Sequence, residues 1–164
     1  MVKKIAFVFP GQGSQSVGMG KDLYENFEAA KNVFDTADKV LGKSITTICF
    51  EGPEDDLKLT VNTQPSIVTM SIAALESFKS ELDVEVSATA GHSLGEYCAM
   101  YASGVMDLET TLKAIQKRAD LMSLHCVKDD RIPTESSKQL QLSAPIIENH
   151  PTHSKIPAAI RQKA

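Results

Sequence analysis

The residues best placed to do covalent chemistry in this sequence form Gly91-His92-Ser93-Leu94-Gly95, a Gly-x-Ser-x-Gly pattern. Before it, Val84-Glu85-Val86-Ser87-Ala88 alternates like a β-strand, and after it Glu96 to Ala102 is a run of good helix formers. A strand, a tight turn and a helix with serine at the apex make a nucleophile elbow. Such a turn forces the serine into a strained backbone conformation, and glycines two residues before and after keep neighbouring chain clear. The hydroxyl then stands above the sheet, and the helix behind it points free N–H groups at any oxyanion formed there. The bland alternative is an ordinary strand-to-helix turn with a capping serine. The flanking strand and helix favour the nucleophile.

An elbow needs a sheet and covering helices. Lys4 to Phe9 is a continuous apolar run, as expected of a central parallel strand. Pro10 and the loop Gly11-Gln12-Gly13-Ser14-Gln15-Ser16 follow it. Ser16 stands where a dinucleotide fingerprint needs its third glycine, which argues against that reading. Sites in open α/β sheets are nonetheless built at such strand ends. Leu23, Phe27, Ala30, Phe34, Ala37 and Leu41 fall on one face of a predicted helix, with Gly42 as its stop. Glu54, Asp55 and Asp56 read as a solvated helix start. Thr63 is a possible N-cap for a helix carrying Ile67, Ile72, Leu75 and Phe78. Asp107 can cap a last helix through Met122, with Leu108, Leu112, Ile115 and Leu121 as core candidates. On that helix Arg118 has a plain reading too, an arginine favoured by the macrodipole near a C-terminus.

Composition narrows the classes. The chain has 164 residues and a formal net charge of −4. One domain with a sizeable core is expected, and there is no electrostatic case for nucleic acid. No apolar run has the length of a membrane span. The short apolar stretch after Lys3 and Lys4 stops at Pro10-Gly11 without a signal-peptide cleavage site, so it reads as a buried strand. Cys49, Cys98 and Cys126 are odd in number and lack CxxC spacing. Neither a disulfide framework nor a metal site is indicated, and a reducing cytoplasm is the expected location. Character changes near Ser123. All nine glycines and every aromatic residue lie before it, whereas Pro133, Pro145, Pro151 and Pro157 lie after it. Residues 1–122 are therefore expected to form the folded part, and 123–164 a different, poorly packed tail.

Four motifs, taken together, closely resemble the malonyl-CoA:acyl carrier protein transacylases of fatty acid synthesis. They are Phe7-Val8-Phe9-Pro10-Gly11-Gln12-Gly13-Ser14-Gln15, Thr63-Gln64-Pro65, Gly91-His92-Ser93-Leu94-Gly95-Glu96-Tyr97 and Lys117-Arg118-Ala119-Asp120-Leu121-Met122. Acyltransferase domains of polyketide synthases share much of the pattern. The resemblance spans residues 4–122 and matches the N-terminal half of that family. It implies an α/β-hydrolase-like parallel sheet with a nucleophile elbow, here incomplete, and without the small ferredoxin-like subdomain that should follow.

Site roles follow from the same resemblance. Ser93 matches the nucleophile. Leu94 and Gln12 match the two residues whose backbone N–H groups form the oxyanion hole. Arg118 matches the arginine that pairs with the free malonyl carboxylate, a fork geometry that would select malonyl over acetyl. The implied substrate is malonyl-CoA and the implied partner an acyl carrier protein carrying phosphopantetheine. No metal and no resident cofactor are implied. The family's histidine base and the amide residue that orients it lie far downstream. His125, His150 and His153 stand in no family-like context, and His92 reads as a packing group, because neighbours on an elbow point apart. Two readings therefore stand side by side: an acyltransferase, or a fragment lacking turnover that keeps partial CoA or carrier-protein binding. A hydrolase would use the same elbow, but Arg118 and the Gln12 loop argue against it.

Overall fold

The computed structural model describes residues 5–84 and 86–126, together with the backbone of Ile147 and Glu148. Of the tail expected to be unpacked, residues 127–146 and 149–164 lie outside the described residues, and the placements of His150 and His153 with them. So does the side chain of His125.

Strand β1 (Ile5–Phe9) leads through five helices to β2 (Val86–Gly91), and the two strands pair in parallel. A two-residue strand β3 (Ile147–Glu148) adds antiparallel to β2 opposite Ala88 and Thr89. The sequence showed no strand period there, and the sheet is accordingly mixed, not purely parallel. Among the described residues β1 is an edge, not the central strand its apolar run suggests. Its residues alternate in burial, and Val8 is 75% exposed. Phe7 turns the other way and meets Phe78 edge to face at 5.6 Å. An apolar groove of about 340 Å³ runs beside β1, lined by Phe9, Pro10, Met70, Ala74 and Phe78 among others.

The helices are α1 (Lys21–Asn26), α2 (Glu28–Leu41), α3 (Ile45–Glu51), α4 (Glu54–Lys58) and α5 (Thr60–Glu81) before β2, then α6 (Gly95–Ala102) and α7 (Leu108–Cys126). The single helix expected over Leu23 to Leu41 is split at Phe27, which is extended. Asn26 stands immediately before the break. Its side-chain amide donates to the Asp22 carbonyl at 2.7 Å, the kind of local bond that offers the backbone an alternative to the helix. Gly42 ends α2 as expected, left-handed at φ 63° and donating to the Asp38 carbonyl.

Helix α5 is the central pillar, packed between α2 and α7. Ile67, Val68, Ile72, Ala73 and Leu75 are buried, and so are Ser66, Thr69 and Ser77, so no face is left for solvent over its middle. Phe34 of α2 is fully buried against this cluster, a burial that contributes about 1.5–3 kcal/mol. The helix starts three residues before Thr63, which is not its N-cap. Thr63 is buried inside it and donates its hydroxyl to the Leu57 and Leu59 carbonyls. Pro65 thus lies within the helix and supplies no N–H for the Val61 carbonyl. Lys43 Nζ, at 2.7 Å, and Gln116 Nε2 of α7, at 3.2 Å, donate to that oxygen instead. The proline therefore creates a polar stitch between α5 and α7.

Asp107 caps α7 as expected, accepting from the Thr110 N–H at 2.7 Å. That bond holds its carboxyl below the usual value. The helix passes Met122 and ends at Cys126, since residues 123–126 contain neither glycine nor proline. Leu112 and Ile115 are buried and Leu108 partly so, but Leu121 is 43% exposed and is not core. Ala119 occupies the buried position instead, continuing the 108–112–115 spacing on one helix face.

Candidate active site

Register brings the first pieces together. Phe9 of β1 lies opposite Gly91 of β2, and the strands are parallel. Gln12 and Leu94, each three residues further on, therefore leave the sheet at the same end. The His92 N–H extends the ladder by donating to the Phe9 carbonyl at 3.0 Å. Ser93 follows in the left-handed region, at φ 55°, the only non-glycine residue with positive φ among those described. Such backbone strain in a non-glycine residue persists only where its surroundings impose it.

The surroundings are the two glycines. A Cβ on Gly91 would sit 2.0 Å from the Gly95 carbonyl carbon and 2.3 Å from the Glu96 nitrogen. A Cβ on Gly95 would sit 2.5 Å from the Phe9 oxygen and 2.7 Å from the Pro10 oxygen. The turn can thus close onto the end of β1 only with glycine at both places. Gly11 faces His92, where a Cβ would come within 2.4 Å of the imidazole Nδ1. His92 is exposed, with its ring lying beside Gly11 of the Gln12 loop.

Ser93 is exposed at the apex, while Leu94 behind it is fully buried. The Leu94 side chain anchors the start of α6, with Cys98 and Ala99 buried one turn on. Burial pushes the Cys98 thiol up to about 12, which keeps it uncharged. Among the described residues no acceptor takes the backbone N–H of Leu94 or of Gln12. Both residues follow closely on the strand ends from which Ser93 rises, Gln12 exposed and Leu94 fully buried.

Helix α7 supplies the cation. Arg118 Nη2 donates to Ser93 Oγ at 2.9 Å, and Nη1 donates to Gln64 Oε1 at 2.7 Å. Gln64 in turn donates to Gln12 Oε1 at 3.4 Å and to Met122 Sδ at 3.2 Å. Ser93, Arg118 and the Gln12 loop are thus brought to one place, joined through Gln64. The motif Thr63-Gln64-Pro65 contains Gln64 but by itself assigns it no role. The motif was the signal; its contacts span more than fifty residues of chain.

Known proteins resemble this chain over most of its length in sequence and fold. The acyl transferase domain family matches residues 6–140. The malonyl CoA-acyl carrier protein transacylase of Bacillus subtilis strain 168 is 48% identical over 122 residues, covering 74% of this chain and 38% of that protein. The acyl-carrier-protein S-malonyltransferase structure from Bartonella henselae superposes with a TM-score of 0.70 at 44% identity, covering 73% of this chain and 39% of the other. A malonyl-transacylase solved in complex with a type II polyketide acyl carrier protein superposes with a TM-score of 0.70 at 38% identity, with the same coverage of 73% and 39%. The chain thus spans about two fifths of the length of these relatives.

Proposed function

This chain belongs to the acyl transferase domain family, and we propose that it carries the acyl-enzyme half of a malonyl transfer from CoA to acyl carrier protein. The observation that carries the reading is the hydrogen bond from Arg118 to Ser93, which puts a guanidinium beside the apex hydroxyl. The strand–turn–helix around Ser93 is read as a nucleophile elbow of α/β-hydrolase type. Ser93 Oγ attacks the malonyl thioester carbon, giving an oxyanion that the Leu94 and Gln12 amides stabilise. Collapse of that intermediate breaks the carbon–sulfur bond, and CoA leaves as the thiol with the proton from Ser93. Attack by a carrier-protein phosphopantetheine thiol on the malonyl-serine ester would complete the transfer. Arg118 pairs with the malonyl carboxylate and so prefers malonyl to acetyl. Malonyl-CoA is a substrate here, and the scheme uses no metal and no resident cofactor. Two of the three cysteines are buried free thiols, which suits a reducing cytoplasm.

No general base stands among the residues gathered at the site. In the family resemblance it comes from downstream, where the ferredoxin-like subdomain also falls, outside residues 1–122. Serine without its base is a poor nucleophile, although oxyanion stabilisation and binding leave some residual catalysis. The 164-residue chain should therefore acylate Ser93 slowly, in a single turnover, with negligible transfer to carrier protein. The test is incubation of purified chain with radiolabelled malonyl-CoA, following labelled protein and labelled carrier separately. Slow labelling abolished by Ser93→Ala is expected. Labelling that survives Ser93→Ala would sink the nucleophile assignment. Repeated turnover onto carrier would instead require a base within residues 123–164.

A further inference from the structure

We propose that Gln64 is a positioning residue that determines acyl specificity, by holding Arg118 toward the site without neutralising it. The inference rests on the malonyl-transfer reading above. Gln64 is fully buried, yet its contacts lead to polar groups at the site from two directions. Its oxygen accepts from Arg118 Nη1 at 2.7 Å, and its nitrogen donates to Gln12 Oε1 and Met122 Sδ. Only the oxygen of an amide can accept from a guanidinium, so the amide's orientation is fixed by Arg118. One end of the guanidinium is thereby held, and the other reaches Ser93 Oγ at 2.9 Å.

The neutrality of this partner matters as much as its position. Among the described residues no carboxylate lies within 4.0 Å of Arg118, and all the ion pairs there involve lysine. A half-buried arginine would commonly be paired with an acid. Here a glutamine satisfies one guanidinium N–H and leaves the positive charge for an incoming carboxylate. Glutamate has the same length but would supply that charge itself. Gln64 is also held firmly. Pro65 follows it directly, and the Val61 carbonyl one turn earlier is tied to Gln116, two residues from Arg118. The α5–α7 stitch therefore fixes the spacing between Gln64 and Arg118.

The test uses the full chain in a Ser93→Ala background, so that no acylation occurs. Calorimetry with malonyl-CoA and with acetyl-CoA gives two dissociation constants, and their ratio is the readout. Added Gln64→Glu or Gln64→Leu should reduce the malonyl preference about tenfold or more, the scale of a lost charge-assisted hydrogen bond, with acetyl-CoA affinity little changed. Melting curves establish that each variant is folded. A merely structural role would weaken both ligands alike or lower the melting temperature with the ratio intact, and either result would overturn the proposal. Added Arg118→Ala separates the two levels of inference. If it removes the preference while both Gln64 variants retain it, the positioning role fails and the carboxylate clamp stands. If it leaves the preference unchanged, or no preference exists, the clamp itself fails and takes the positioning role with it.

Discussion

Gly95→Ala tests the approach of α6 to the end of β1. The new methyl would lie 2.5 Å from the Phe9 oxygen, 2.7 Å from the Pro10 oxygen and 2.9 Å from the Phe9 carbon. All three are backbone atoms, so no side chain can swing aside. Ordinary contact begins at 3.4 Å, which leaves the methyl about 0.9 Å too close. The start of α6 must back away from β1 by a comparable distance. His92, three residues earlier, donates to the same Phe9 oxygen at 3.0 Å and would be pulled out of hydrogen-bond range. Overpacking of this kind costs about 1–3 kcal/mol, and the lost bond adds about 0.5–1.5 kcal/mol. A net destabilisation of about 2–4 kcal/mol follows, read as a fall in the urea midpoint of about 1–2 M at a slope of about 2 kcal/mol per M. The same retreat misplaces the Leu94 amide, and a displacement of about 1 Å can cost about a hundredfold in rate. Single-turnover labelling of Ser93 should drop on that scale. Gly42→Ala is the control. Its φ is 63° but nothing lies within 4 Å of the added carbon, so only the left-handed strain of about 1–2 kcal/mol applies and labelling is untouched. A Gly95→Ala chain within about 0.5 kcal/mol of the parent would refute the close approach of α6 to β1.

Two further predictions concern ionisable groups. Burial pushes the Cys49 thiol up to about 11 and that of Cys98 up to about 12. Neither should be alkylated by iodoacetamide at neutral pH in the folded chain, and peptide mapping that finds either modified before unfolding would contradict their burial. The Asp107 carboxyl lies below its ordinary 3.8 because it caps α7. Its contribution is therefore fully present above that ordinary value and is lost as pH falls through the lower folded one. Asp107→Asn keeps a capping side chain and should flatten that part of the acid melting profile; an unaltered profile would count against the cap.

Legibility followed the range of the interactions. The clash that requires Gly95 comes from Phe9 and Pro10 at the end of β1 and shows only in the fold, whereas Gly91 was readable because its steric demand comes from within the turn, at Gly95 and Glu96. The Gly42 stop and the Asp107 cap are likewise local, each a bond across one helical turn. The break at Phe27 was hidden because six apolar residues keep helical spacing straight across it. The start of α5 was misplaced because proline usually marks a helix entrance, and here the Val61 carbonyl it leaves open is satisfied from two distant segments. Leu121 was misjudged because apolar character was read without the register that puts Ala119 inward. Gln64 was the largest omission. Nothing near it in the chain shows that it touches Arg118, since α5 and α7 meet only in the folded molecule.

The space beside Gly11 has a consequence for how this sequence can vary. The imidazole of His92 fills the volume that a side chain at position 11 would need, with Nδ1 only 2.4 Å from that point. The two positions share one allotment of volume between the first strand's loop and the elbow. The exposed His92 ring can swing out of that space, but the His92 backbone oxygen, 3.1 Å from the same point, cannot. Glycine at position 11 is therefore favoured whatever side chain stands at 92, and a larger residue there would press on the elbow backbone about eighty residues further along the chain.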